Sequence, residues 1–284
     1  TGNGQFADPI GVVVAPNGNV YVVDNDNDRI QYFNSDGTYL GQWGAAGTGD
    51  GQFTDAVDIV IDSLGNVYVT DITALSANNR IQKFTSTGTF TAKWTVSTIL
   101  GLAIDSSNNI YVGRNSASLP LLIYNTDGTL IQTLGFNFAR SAGTGLAVDN
   151  SGGIFVTEAQ NSVRKYNANG TIVLSFPVGD GNTNVTAYHY AVDNNYIYVS
   201  WRGDAYDRIH KHDLNGNFVK AWNTYDATSM TFNRIDSVYK TTTYTRILPT
   251  DGTPTFYRLK NFDYNQNRSD VSAIATGVYT LIAN

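Results

Sequence analysis

GVVVAPNGNVYVVDNDNDRIQYFNSDGTYLGQWG (11–44) holds four short β-patterned runs in succession: Val12–Ala15, Val20–Asp24, Arg29–Phe33 and Tyr39–Trp43. Pro16-Asn17-Gly18 separates the first two and Ser35-Asp36-Gly37 the last two. Asn and Gly accept the positive φ of tight hairpin turns, so the stretch predicts a four-stranded antiparallel meander. Such a meander cannot cover its own two faces, and the pattern that covers them is the same one repeated.

The repeat returns at 51–94, 97–135, 142–176 and 186–222. Tyr21, Tyr68, Tyr111, Phe155 and Tyr198 share one place in the second run, and Gly37, Gly88, Gly128, Gly170 and Gly216 share the third turn. The period of about 44 residues falls in the range of propeller blades. Radial stacking buries both faces of every sheet and leaves only short edges exposed.

Gly4-Gln5-Phe6 and Gly51-Gln52-Phe53, the run Asn19-Val20-Tyr21-Val22-Val23-Asp24, and the pair Arg29-Ile30-Gln31 and Arg80-Ile81-Gln82 together resemble the NHL-repeat family of β-propellers. The resemblance covers residues 4–222 and implies four-stranded blades, often six, around a central channel. The expectation is an all-β chain forming one six-bladed propeller over 1–284, with blades near 4–44, 51–94, 95–135, 136–177, 182–222 and 227–284. The last segment lacks the Gly-Asn-Val-Tyr signature, and a separate C-terminal module is the rival reading of it.

Composition narrows the function. The 284 residues carry 18 Lys and Arg against 24 Asp and Glu, a net charge of −6. A protein that neutralises phosphates needs clustered cations, and none are clustered here, so nucleic acid is not expected as a partner. No apolar segment approaches the ~20 residues that span a bilayer, so membrane insertion is not expected either. The absence of cysteine rules out disulfides and thiolate metal sites. Low charge, abundant Asn, Thr and Tyr, and sequons at Asn169, Asn184 and Asn267 lean towards an extracellular or cell-surface protein.

Four groups of residues carry candidate chemistry, and none is assigned as catalytic. Asp24, Asp26 and Asp28 alternate with amides in one loop, a spacing that offers oxygens to calcium, although the Gly and Glu of an EF-hand are missing. Asp24 and Asp71 also face Arg29 and Arg80 across short loops, which would fix those loops. Asp58 and His189 stand where other blades have Gly11, Gly101 and Gly145, at the start of the strand that lines the channel; ordered water is the plain alternative to a ligand there. Trp201, with Arg202 and Tyr206 in the loop that follows, could stack on a sugar or grip a peptide.

The NHL resemblance includes an amidating lyase with a three-histidine zinc site. Here His189, His210 and His212 all fall in one blade, and the last two sit at positions held by Gln31 and Phe33 in the first. The expected function is therefore a binding module for a peptide, glycan or protein partner on the loop face. The alternatives are a metal-dependent lyase or lactonase-like hydrolase at the channel mouth, and a structural subunit of a surface assembly.

Overall fold

The computed structural model describes residues 2–72, 79–114, 121–135, 145–158, 162–178, 185–203, 208–223, 225–226 and 230–231. Five four-stranded antiparallel sheets follow one another along the chain, each pairing its strands in sequence order. The first contains β1 (Pro9–Val14), β2 (Val20–Asp24), β3 (Arg29–Phe33) and β4 (Tyr39–Trp43). The second contains β5 (Ala56–Ile61), β6 (Val67–Asp71), β7 (Arg80–Phe84) and β8 (Phe90–Thr95). The third is β9 (Ile99–Ile104), β10 (Ile110–Arg114), β11 (Leu121–Tyr124) and β12 (Leu130–Leu134). The fourth is β13 (Leu146–Val148), β14 (Ile154–Glu158), β15 (Ser162–Tyr166) and β16 (Ile172–Pro177). The fifth is β17 (Val185–Val192), β18 (Tyr196–Gly203), β19 (Arg208–Asp213) and β20 (Phe218–Asn223), followed by the short pair β21 (Tyr225–Asp226) and β22 (Met230–Thr231). These sheets are blades. Apart from Met230–Thr231, the segment read as a sixth blade (227–284) lies outside the described residues.

Every residue of β2 and β6 is buried, whereas β4 and β8 alternate between half-buried and exposed. Inner strands have a neighbouring blade on both faces, so the simple in–out alternation of a two-faced sheet disappears there. Tyr21, Val23 and Ile30 of the first blade form one core with Phe53, Ile59, Val67 and Phe84 of the second. Equivalent cores join the second blade to the third, the third to the fourth and the fourth to the fifth. Each fully buried Ile, Val or Phe contributes roughly 1.5–3 kcal/mol. Two further clusters draw on one blade each: Phe6, Val12, Val22 and Phe33 at the first, and Ala191, Tyr198, Ile209 and Trp222 at the fifth.

The outer rims lock by a recurring contact between an aromatic ring and a turn. Gly88, at φ +90° in the third turn of the second blade, would place a Cβ 2.5 Å from Trp43 Cγ. The left-handed backbone and the indole lying on it both require glycine. Trp94 covers Gly128 in the same way, and Phe176 covers Gly216. The invariant-looking turn glycines of the repeat thus serve the joints between blades as well as the hairpins.

Candidate functional site

A buried polar arch ties the second and third strands of the first two blades to the segments that precede them, and it explains the sequence signature. Asp24 and Asp71 close β2 and β6, and both are fully buried. Arg29 Nε donates to Asp24 Oδ2 at 2.6 Å, while its other nitrogens reach Gln42 Oε1 and the carbonyls of Gly2 and Gln5. In the second blade Arg80 Nε donates to Asp71 Oδ2 at 2.8 Å and its guanidinium reaches the carbonyls of Thr48 and Gln52. Gln31 and Gln82 donate to those same carbonyls of Gln5 and Gln52. Gly-Gln-Phe, the strand-ending Asp and Arg-Ile-Gln therefore occur together because they bond to one another.

That arch occupies Asp24, the first carboxylate of the calcium reading of Asp24, Asp26 and Asp28. Asp24 Oδ1 accepts from the Ala7 amide and Asn27 Nδ2, and Oδ2 accepts from Arg29 and Gln31. Four donors, one of them a guanidinium, leave this carboxylate nothing to offer a cation. Asp28 turns into the left-handed region at φ 51°, and burial, then the carboxylates of Asp71, Asp26 and Asp55, push its carboxyl up. Among the described residues no three His, Asp or Glu side chains gather into a metal-binding group.

Asp58 and His189 owe their placement to a bulge. In β5, Ala56 pairs with Asp71 and Ile59 with Val69, so Val57 and Asp58 together oppose Thr70. The same irregularity recurs at Ile10-Gly11, at Leu100 and at Tyr188, next to His189. A bulge of this kind bends the strand and re-aims its side chains. Asp58 and His189, from blades 2 and 5, line one central cavity of about 310 Å³. Its walls are otherwise largely aliphatic, with Val12, Ile59, Leu102 and Leu146 among them.

The amide of Ile59 donates to Asp58 Oδ1 at 2.8 Å, and that of Leu102, in the next blade, to Oδ2 at 2.7 Å. Burial nevertheless dominates and raises the carboxyl to about 6, with the two amide bonds pulling the other way. The Asp58 amide donates to Thr70 Oγ1, and the His189 amide to Ser200 Oγ. Thr157 Oγ1 meets the buried Tyr190 hydroxyl at 2.9 Å, above Gly145, where a Cβ would lie 2.7 Å from the ring. Sequence reasoning missed this hydroxyl set of Thr70, Thr157, Ser200 and Tyr190. The signal was present, since Thr70, Thr157 and Ser200 each interrupt an apolar second strand one residue before its conserved-looking end position.

Trp201 and Arg202 are not in a loop. Residues 185–187 extend β17 beyond its bulge and pair with them, so both belong to β18. Tyr206 lies outside the described residues.

His210 and His212 are buried in the blade 4–blade 5 joint, far from any ligand role. The His212 ring packs 4.9 Å from Phe176 and 5.6 Å from Phe218, with Nδ1 hydrogen-bonded to the Gly216 carbonyl. Burial pushes the His212 pKa down. The unfolded chain therefore binds the proton first, and stability is lost as pH falls below the ordinary histidine value of about 6.5. His212→Tyr, which restores the aromatic found at Tyr124 and Tyr166, is expected to shrink the drop in melting temperature on acidification through this range. An unchanged drop would remove His212 as its source.

The five four-stranded blades define a β-propeller. The NHL repeat family model matches residues 6–33 and 53–84, one stretch in each of the first two blades. Virginiamycin B lyase from Staphylococcus aureus is similar in structure, with a TM-score of 0.53 and 13% identity over 82% of this chain and 88% of that one. A streptogramin B lyase structure gives a TM-score of 0.56 and 12% identity over 89% and 91%. A gluconolactonase from Xanthomonas campestris gives 0.52 and 15% over 67% and 68%. At such identities the likeness is one of fold alone. No curated protein matches the sequence. Among the described residues no helix is long and apolar enough to cross a membrane.

Proposed function

We propose that this protein is an NHL-type binding module, outside the cell or at its surface, that holds a peptide, glycan or protein partner over the central channel. The observation that carries the proposal is the meeting of Asp58 and His189, from two non-adjacent blades, in one cavity whose walls around them are largely aliphatic. Few polar groups in an apolar concavity are the usual composition of a ligand site. Trp201, Arg202 and Tyr206 would form the rim on the same side. Residues 227–284 would supply a sixth blade, which is supported by the two buried clusters that each draw on a single blade.

The test is capture on arrays of peptides and glycans. Asp58→Ala and His189→Ala are each expected to weaken the captured ligand by about tenfold or more, and Trp201→Ala by a similar factor if it is an anchor. Melting temperatures should stay near wild type for the two channel variants. Undiminished capture by both channel variants would place the site elsewhere.

A lyase or lactonase-like hydrolase is the second reading, favoured by the Asp58 carboxyl near 6, where a general base works well. In its metal-dependent form it lacks a ligand group among the described residues.

A further inference from the structure

We infer that the channel takes its ligand through a primary ammonium group seated on Asp58, with the ligand's apolar body between Ile59, Leu102 and Leu146. This rests on the reading of the channel as the ligand site and adds the chemistry that would fill it.

Charge is the first argument. Three carboxylates, Asp58, Asp62 and Asp105, line the cavity together with the titratable His189 and Tyr190, and among the described residues no Lys or Arg does. Asp62 accepts the amides of Leu64 and Asn66, the Asn66 side chain and the Tyr68 hydroxyl, so its oxygens are occupied. Asp105 is held likewise by Ser107, Asn109 and Tyr111. These two contribute field rather than contacts. A concave site lined by one sign of charge concentrates ligands of the other.

Hydrogen bonding is the second. Among the described residues each Asp58 oxygen accepts one backbone amide, which takes up about half of the carboxylate's four lone-pair sites. An ammonium brings three donors to a carboxylate so placed. A hard metal ion would want six to eight oxygens, and Leu102, Leu146 and Val12 provide none from their side chains. A cavity of about 310 Å³ suits a lysyl side chain, a peptide amino terminus or a free alkylamine. A buried ammonium is stable only opposite a charged carboxylate, so binding should fade as Asp58 takes up its proton, near pH 6.

The experiment titrates isotope-labelled protein with pentylamine, pentan-1-ol and pentanoate, following the Ile59 and Leu102 amide signals that report directly on the Asp58 oxygens. Pentylamine alone is expected to move both signals. Its affinity should fall about tenfold or more in Asp58→Asn, as for loss of a charge-assisted bond. In the wild type it should also fall between about a unit above and about a unit below the Asp58 value, an arm that needs no variant. If pentylamine binds, peptides with free or acetylated amino termini and with lysine or acetyl-lysine then separate the sources of the ammonium. Equal response to the alcohol, or pH-independent amine binding, would overturn the ammonium inference while leaving the channel as a ligand site. No response at either amide to any of the three probes would overturn both.

Discussion

Asp71→Ala is expected to destabilise the protein by about 3–5 kcal/mol, the usual cost of stripping one partner from a buried ion pair. The carboxylate is fully buried and among the described residues serves three donors: Arg80 and the amides of Thr54 and Asp55. Truncation leaves the guanidinium without its counter-charge and the two amides without an acceptor, and each loss is charged at interior rather than surface rates. Asp24→Ala should behave alike, because Arg29, Gln31, Asn27 and Ala7 converge on it in the same manner. Asp50→Ala is the control. Asp50 pairs with Lys93 at the surface with both side chains about half exposed, where ion pairs are worth about 0–1 kcal/mol. Denaturant unfolding measures all three. A loss below about 1 kcal/mol for Asp71→Ala would mean that the arch does not hold the blades' inner ends.

Deleting residues 227–284 should do more than lower stability; it should abolish cooperative unfolding. Blades bury their faces only against neighbours, so a propeller opened at one joint exposes two apolar faces at once. The faces in question are already identifiable: Phe6, Val12, Val22 and Phe33 on the first blade, and Tyr198, Ile209 and Trp222 on the fifth. All of these are buried, and among the described residues neither cluster includes one from a second blade. The truncated chain is expected to aggregate or to melt over a broad range. A soluble fragment with an unchanged, sharp transition would show that 227–284 form a module of their own.

The blades were legible because the repeat fixes turn glycines and inner-strand apolar runs at a constant spacing, and local chemistry agrees with tertiary need at those positions. The channel positions of Asp58 and His189 were legible for the same reason, by alignment with Gly11, Gly101 and Gly145. Two features were not. Asp24-Asn25-Asp26-Asn27-Asp28 has the spacing of a cation loop, but its first carboxylate is drawn inward by Arg29 and Gln31, whose demand on it is set by the three-dimensional arch. Trp201 and Arg202 read as loop because β2 and β6 end at Asp24 and Asp71. In blade 5 the first strand starts earlier, at Val185, and carries the hairpin past that point. Strand length depends on a partner about 15 residues away, which a single-strand pattern does not record.

The crystal structure of the protein with a ligand selected from the arrays tests the central claim most directly. The account expects that ligand between β5 and β17, in contact with Asp58 and His189 and covering the cavity they share. The contrary result is a ligand or second copy of the chain seated on the outer strands β12, β16 and β20. There Leu130, Ile131, Ile172, Val173, Phe218 and Val219 stand exposed, and such a complex would make the protein an assembly subunit joined at its blade edges.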